Sequence, residues 1–248
     1  MFRAELVKLK RSTTWLIALV LPFLAVTTAA INVANNPDTL DSGWESFTSQ
    51  AVLFYGLLFF SMGIGLIAAT AWRVEHRGTN WNLLLTTTTR PIALVLAKIA
   101  VIAVPVAFMQ VVLVIATLFT GTFVLNVDGA IPWKFTLAGL LAIVAALPLI
   151  AAQSLLSMLL KSFGAPIAIC LVGCVAAVPA ITSPTLRPLR YLVPQALNTR
   201  TLNLGSVAVA DSGDLIPADV ISILATALVM TAIVAGVSVV ALRKIKLR

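Results

Sequence analysis

Few side chains of this 248-residue chain could perform chemistry. The single histidine, His76, stands between Glu75 and Arg77, and the two cysteines, Cys170 and Cys174, lie four residues apart in an apolar run. A metal or redox site needs more ligands than these positions supply. The sequence also contains no G-x-x-x-x-G-K-[ST] phosphate loop and no G-x-S-x-G nucleophile motif. We therefore expect no catalytic residue, metal or cofactor in this chain, and no enzyme activity of its own.

The polar segment 73–90 is better suited to binding than to catalysis. Its apolar residues recur at a helical spacing that places them on one face: Val74, Gly78, Trp81 and Leu85. Polar side chains decorate much of the rest: Glu75, His76, Arg77, Asn80 and Asn82. The pattern allows two interpretations. The segment is either a helix lying on the cytoplasmic leaflet, or a docking helix for a cytoplasmic partner with Glu75 and Arg77 as its charged contacts.

The amino-terminal residues 1–12 have a similar two-sided pattern. Phe2, Leu6 and Leu9 share one helical face, while Glu5 and Lys8 belong to the charged remainder. Such a pattern is typical of a short amphipathic helix that lies at a membrane surface.

The elements that must position these residues follow from composition. Hydrophobic residues make up 60% of the chain and charged residues 10%, with a mean hydropathy of +1.05, whereas soluble domains average about 25% charged residues. A soluble enzyme, a disordered chain and a disulfide scaffold are therefore excluded. The sequence predicts an all-α polytopic membrane protein with a single transmembrane domain over 1–248. Six apolar runs are long enough to cross a bilayer: 15–34, 51–72, 99–125, 135–160, 164–181 and 221–242.

The distribution of charge predicts the orientation. Placing both termini in the cytoplasm leaves outside only four of the 17 Lys and Arg residues: Lys134, Arg187, Arg190 and Arg200. This bias satisfies the positive-inside rule. Because the basic residues flank apolar runs and form no stripe, the net charge of +8 is no sign of nucleic-acid binding. No Asp, Glu or His lies in the middle of a predicted span, which argues against a proton-driven carrier. Pro105 and Pro148 lie inside spans and predict kinks.

The polar segment and its neighbours resemble permease subunits of ABC exporters of the type-2 class. The resemblance rests on these residues: Glu5-x-x-Lys8, Glu75, Gly78-Thr79, Leu84-Leu85-Thr86, Arg90 and Lys98. It implies that 73–90 is the coupling helix that sits in a cleft of a separate ATPase subunit, which binds the ATP and Mg. The implied coupling residues are Glu75, Arg77, Gly78, Thr79, Trp81, Leu84 and Leu85. One departure is Thr88, which stands where the family usually has a proline.

The segment 183–217 on the predicted outer side is long for a connector. Its prolines alternate with apolar residues, which predicts short, broken helices that dip partly into the outer leaflet. The resemblance implies re-entrant helices that close the exit, with Arg190, Tyr191, Leu192 and Pro194 as the outer gate. The alternative is an amphipathic lid without a transport role, in which Arg190 and Tyr191 only anchor the lid at the interface.

These observations lead to one function and two alternatives. We expect the membrane subunit of an ATP-driven exporter in a bacterial plasma membrane, paired with ABC ATPase subunits and with a second permease, identical or different. An apolar path suits an amphipathic substrate: a peptide antibiotic, a drug or a lipid-like molecule. Short permeases of lantibiotic-immunity, bacitracin-type and multidrug exporters are similar in size. The alternatives are an ion-coupled secondary carrier that uses backbone groups of kinked helices, and a peptide-sensing subunit that transports nothing.

Overall fold

The structure is a computed structural model that describes residues 2–10, 12–36, 40, 43–77, 81, 90–206 and 213–244, with the backbone alone for residues 3, 4 and 10. Helices account for almost all of these residues, and no strand occurs among them. This confirms the predicted all-α class.

Six helical stretches are long and apolar enough to cross a membrane, as the sequence predicted. They are Thr14–Asn35 (α2), Trp44–Arg73 (α3, a π turn and α4), Pro91–Phe123 (α5), Trp133–Leu159 (α6 and α7), Gly164–Thr182 (α8) and Pro217–Lys244 (α10). The described residues also form two short helices, Phe2–Lys10 (α1) and Pro194–Leu202 (α9). A 3₁₀ helix covers Pro184–Tyr191.

Several long helices begin before the apolar runs from which they were predicted. The second stretch starts at Trp44 and not at residue 51, and α5 starts at Pro91 and not at residue 99. Hydropathy marks the part of a helix that crosses hydrocarbon, whereas the helical hydrogen bonds continue into polar sequence. Lys98 therefore lies inside α5, in its third turn, and not in front of a helix.

Two interruptions divide long helices. The stretch from Trp133 breaks at Ala146, between α6 (Trp133–Ala145) and α7 (Leu147–Leu159), next to the predicted kink at Pro148. The stretch from Trp44 contains a π turn, Tyr55–Phe59, between α3 (Trp44–Phe54) and α4 (Phe60–Arg73). By contrast, α5 is continuous through Pro105.

The core lies along α4, which packs against α2, α5, α7 and α8. Its buried large side chains include Phe60, Ile64, Ile67 and Trp72. Around this core, α2 packs on α5, and α10 packs on α7 and α5. Helix α9 packs against α6, α8 and the π turn and is buried over most of its length.

The bundle has two ends, and we name them by the chain. The terminal end carries α1, the end of α4 and the α7–α8 link, and the far end carries the starts of α3, α6 and α10. An ion pair between Lys134 and Asp214 (3.0 Å) joins the start of α6 to the connection before α10 at the far end. The exposed residues of α10 are largely apolar, as expected for helices that face lipid.

Candidate functional site

Four charged side chains from two helices and one turn meet at the terminal end of the bundle. Glu5 and Lys8 come from α1, Glu75 from the turn that follows α4, and Lys98 from α5. The Lys8 ammonium lies 2.8 Å from Glu5 and 2.6 Å from Glu75. The Lys98 ammonium lies 2.6 Å from Glu5 and 2.8 Å from Glu75. Each cation thus contacts both carboxylates, and we call these four residues the ion-pair ring.

The ring is largely removed from water. Lys98 is 1% exposed, Glu75 2% and Glu5 5%, and only Lys8 is substantially accessible. Burying a lone charge is costly, so such charges persist when they are paired and hydrogen-bonded. Lys98 meets this condition: besides the two carboxylates, it donates to the Ala71 carbonyl at 3.3 Å. The formal charges of the ring balance, two against two.

Aromatic residues cover one side of the ring. The Lys98 ammonium lies 4.9 Å from the centre of the Trp72 ring, a cation–π contact. The Trp72 indole N–H donates to the Ser154 hydroxyl at 2.9 Å, which ties the end of α4 to α7. Trp81 packs in turn on Trp72 and stacks on His76, with ring centroids 5.8 and 5.6 Å apart.

The electrostatic environment shifts two of the ring's pKa values. Burial alone would raise the pKa of Glu75, but the Lys98 charge and the hydrogen bonds from Lys8 and Lys98 outweigh it and lower that pKa below its ordinary 4.5. For Lys8, burial would lower the pKa, but hydrogen bonds and attraction from Glu5 and Glu75 prevail and raise it above 10.5. Both shifts favour the charged forms.

The turn after α4 does not follow the predicted amphipathic pattern. Val74, expected on the buried face, is 42% exposed, and Glu75, expected on the polar face, points into the ring. The reason is the two ammonium groups of Lys8 and the buried Lys98, which only this carboxylate and Glu5 neutralise among the described residues. Glu75 thus forms its ion pairs within the chain, and its expected use as a charged contact for a partner stays a prediction.

The other predicted coupling residues are placed only in part. Arg77 is exposed, and Trp81 is partly buried against its own chain. Gly78, Thr79, Leu84 and Leu85 lie outside the described residues. The amino-terminal pair, Glu5 and Lys8, belongs to the ring, and Glu5 faces the protein interior. Lys98, which the sequence offered only as part of the family motif, is the buried cation of the ring and contacts both carboxylates, as Lys8 does.

A second polar cluster lies toward the far end, around α9. Its sequence, PQALNTRTL, reads as a surface helix, yet all residues from Gln195 to Leu202 are buried. Arg200 forms an ion pair with Asp219 at 2.6 Å and donates to the Tyr191 hydroxyl at 3.0 Å. This pair joins α9 to the start of α10 and to the 3₁₀ helix.

Helix α9 reaches deep into the bundle. The Thr199 hydroxyl donates to the carbonyl of Gly56 at 2.7 Å. Gly56 lies twelve residues after Trp44, where the second stretch begins. At a rise of 1.5 Å per residue, this contact is about 18 Å from the start of that stretch. On another side, a Cβ at Gly173 of α8 would collide with the Gln195 amide. The Asn198 amide is buried here with neither polar atom partnered. A polar helix thus occupies the interior between α6 and α8.

The four predicted gate residues lie where this helix begins. Arg190 and Tyr191 end the 3₁₀ helix, Leu192 is exposed, and Pro194 opens α9. Tyr191 contacts Arg200 through its hydroxyl and its ring face, 5.0 Å from the guanidinium. The sequence located this corner but missed the buried Arg200–Asp219 pair, whose members are 19 residues apart. The sequence signal for this pair was Arg200 itself, a charged residue in the polar stretch that begins at Pro194.

Comparison with known proteins gives one match. The family described as "ABC-2 family transporter protein" matches residues 1–177. The matched part contains the ion-pair ring and the segment 73–90, while α9 and α10 follow it. No curated protein and no solved structure matches the chain.

Proposed function

The chain belongs to the ABC-2 family of transporter proteins, and from this membership we propose that it is the transmembrane subunit of an ATP-driven exporter whose ATPase is a separate polypeptide. Family membership makes it a membrane component of a transporter and not itself an enzyme. We further propose the direction of transport, the ATPase as partner, and the way in which the permease and the ATPase are coupled.

The ion-pair ring is the observation that carries the coupling proposal. It joins the start of the segment 73–90 directly to α1 and α5 through contacts of 2.6–2.8 Å. A buried ring of alternating charges resists separation, because each unpaired charge would remain desolvated. Movement of the segment would therefore displace the surface helix and a membrane-spanning helix together. Such a link is what an ATPase needs in order to drive a transport path from outside the membrane.

We place the ATPase contact on the side of the segment that faces away from the ring. Arg77 is exposed there, two residues beyond the buried Glu75. By the family resemblance, Gly78, Thr79, Trp81, Leu84 and Leu85 extend the same contact surface. Glu75 contributes by holding the segment in position. The ATPase holds ATP and Mg.

The corner at the start of α9 is proposed as the outer gate. Arg190, Tyr191, Leu192 and Pro194 lie where the 3₁₀ helix turns into a buried helix. Because α9 penetrates about 18 Å along the second stretch, its withdrawal would open a passage on the far side of the bundle. Its anchor is the Arg200–Asp219 pair.

The remaining parts of the proposal concern substrate, partner and location. Apolar long helices without an acidic residue in mid-span suit an amphipathic substrate, such as a peptide antibiotic, a drug or a lipid-like molecule. A second permease, identical or different, completes the path. The protein resides in a bacterial plasma membrane with both termini in the cytoplasm, and the short lantibiotic-immunity and bacitracin-type exporters are the narrower assignment.

The test is co-purification with a co-expressed ABC ATPase encoded beside this chain. We expect the tagged permease to retain the ATPase, and Arg77→Glu to reduce the retained ATPase at least tenfold, since like charge at an interface contact is repulsive. Arg243→Glu is the matched control, because it reverses an exposed charge at the same end of the bundle. Both variants should insert and melt like the parent chain. Equal ATPase retention by Arg77→Glu and Arg243→Glu would refute the coupling assignment.

A further inference from the structure

A cavity of about 270 Å³ opens at the terminal end, between the end of α4 and the α7–α8 link. It holds the volume of about nine waters. Three basic side chains line it, together with His76, Ser157 and Phe163: Arg73, Arg77 and Lys161. No Asp or Glu is among the lining residues. The lining therefore carries a strong positive charge, and it lies at the terminal end of the bundle, beside the link between α7 and α8.

Among the described residues, no acidic side chain is left to balance this positive charge. Only Glu5 and Glu75 belong to the terminal end, while the other described acidic residues lie at the far end, at the starts of α3 and α10 (Glu45 and Asp219) or in connections between helices (Asp128 and Asp214). Glu5 and Glu75 are both bound by Lys8 and Lys98 in the ring. No ion pair between described residues includes Arg73, Arg77 or Lys161. The neighbouring sequence 78–89 contains no acidic residue that could supply one.

Neutral donors at the same cavity are also unused. Ser157 is buried, and its hydroxyl has no hydrogen-bond partner. The Ser157 carbonyl accepts from His76 Nε2 at 2.8 Å, which fixes the imidazole at the cavity wall. The 19-residue helix α8 begins here at Gly164 without a side-chain cap. Pro166 in this first turn has no N–H, but the N–H groups of Gly164 and Ala165, together with the helix dipole, favour an anion at that position.

The surroundings indicate where the anion comes from. Phe163 lines the cavity and is itself exposed, with the Arg73 guanidinium 5.2 Å from its ring centre. Leu159, next to the lining residue Leu160, is also exposed. Cationic groups beside exposed apolar side chains fit a molecule with a phosphate head and an apolar tail. Basic pockets between membrane helices bind lipid head groups in this way.

We propose that this cavity is a binding site for the phosphate group of an anionic phospholipid. Arg73, Arg77 and Lys161 supply the charge, the Ser157 hydroxyl and the first turn of α8 supply neutral donors, and the acyl chains lie outside along the bundle. The site goes beyond the proposed transport function and does not depend on an ATPase.

Native mass spectrometry of the purified full-length chain tests the site. The chain is titrated with phosphatidylglycerol and, for comparison, with zwitterionic phosphatidylcholine. The variant Arg73→Gln/Lys161→Gln is expected to bind phosphatidylglycerol at least tenfold more weakly than the parent. The matched control, Arg243→Gln/Lys244→Gln, removes the same charge from exposed positions at the same end and should bind like the parent. Equal weakening in both variants, or in neither, would overturn the proposal.

Inorganic phosphate distinguishes the two sources of the ligand. One outcome is that millimolar phosphate displaces phosphatidylglycerol from the parent chain and does not bind Arg73→Gln/Lys161→Gln. This result would support the phosphate site and show that free phosphate is also a ligand. Phosphate without effect, alongside the expected lipid result, would support the lipid as the ligand. A chain that binds neither phosphatidylglycerol nor phosphate contradicts the site.

A second variant separates binding from folding. Ser157→Ala removes a buried hydroxyl that has no partner in the unliganded chain, so thermal stability without lipid should stay equal or rise. Affinity for phosphatidylglycerol should fall severalfold, because a donor to the phosphate is lost. Unchanged affinity in this variant would overturn the site as described. Arg77 belongs to both proposals, so the lipid test leaves it unchanged. The substituted residues Ser157, Arg73 and Lys161 are not among those proposed to meet the ATPase, so the failure of one proposal can be told from the failure of the other.

Discussion

At the scale of single residues, Lys98 is a charged side chain in a buried environment. It is a fully buried ammonium group that contacts Glu5 and Glu75, the Ala71 carbonyl and the face of Trp72. Buried ion pairs often contribute little net stability compared with apolar residues of the same volume, but removal of one partner leaves a desolvated charge. The role of Lys98 is therefore to connect elements, since it joins α5 to α1 through Glu5 and to the turn after α4 through Glu75.

Replacing this cation tests the ring. Lys98→Met keeps the volume and removes the charge, so Glu5 and Glu75 share only Lys8. We expect a loss of about 3–5 kcal/mol, on the scale for broken buried pairs, seen as a lower midpoint of thermal unfolding in detergent. Lys244→Met, at an exposed position, should stay within about 0.5 kcal/mol of the parent. Similar midpoints for the two variants would show that the ring is not a structural joint.

The ring also predicts how stability depends on pH. The pKa of Glu75 is lowered from 4.5, so its contribution is complete above that pH and is lost as the pH falls through the lowered value. The pKa of Lys8 is raised from 10.5, so its contribution is complete below that pH and is lost as the pH rises through the raised value. Thermal midpoints should therefore form a plateau between about pH 5 and 10. Glu75→Gln should show a shallower acid-side fall, and an identical fall would contradict this origin.

At the scale of elements, close approaches at small residues determine how the helices fit. The π turn Tyr55–Phe59 leaves the Gly56 carbonyl able to accept the Thr199 hydroxyl, which seats α9 against the second stretch. At the far end, Gly121 of α5 lies against the ring of Trp44 at the start of α3. A tryptophan at a span end is usually an interfacial anchor, but Trp44 is buried by this contact.

Two glycine substitutions of opposite sign test this packing. In Gly121→Ala, the added methyl overlaps the rigid Trp44 indole, which must shift at an expected cost of about 1–3 kcal/mol. In Gly236→Ala, the methyl meets no atom within 4 Å, and helix propensity predicts a gain of up to about 1 kcal/mol. Thermal midpoints of the two variants should move in opposite directions. A stabilised Gly121→Ala would contradict the packing of α3 on α5.

At the scale of the whole molecule, six crossings place both termini at one end. At the far end, the Lys134–Asp214 pair joins α6 to the connection before α10. At the terminal end, the ion-pair ring and the His76–Ser157 hydrogen bond join helices to the turn after α4. Hydrogen bonding to Lys134 and to the Leu215 N–H lowers the pKa of Asp214, although the pair is exposed and contributes little stability. Each crossing carries the chain to the other end of the bundle, so an even number of crossings returns it to the end where it began.

Cysteine labelling tests this topology. Cys170 and Cys174 are buried, so the native chain should resist an impermeant maleimide in intact cells. Asp128→Cys and Ser162→Cys lie at opposite ends of the stretch Trp133–Leu159, and both positions are exposed. We expect Asp128→Cys to react from outside and Ser162→Cys only after permeabilisation, as the positive-inside rule requires. Asp214→Cys should behave like Asp128→Cys, and labelling of all three from one side would contradict the six crossings.

The sequence by itself determined the class of the molecule and where its chemistry could lie. Runs of about 20 apolar residues can only be satisfied by crossing a bilayer as helices, so six stretches followed from hydropathy. The family resemblance also drew attention to the segment 73–90. Tertiary structure decided the use of individual charges. Periodicity assigned Glu75 to a polar face, but Lys8 and Lys98, remote in sequence, hold it inside. Arg200 and Asp219 are likewise paired by the fold. Spacing along a helix reports neighbours on that helix, whereas a buried charge is neutralised by whichever element packs against it.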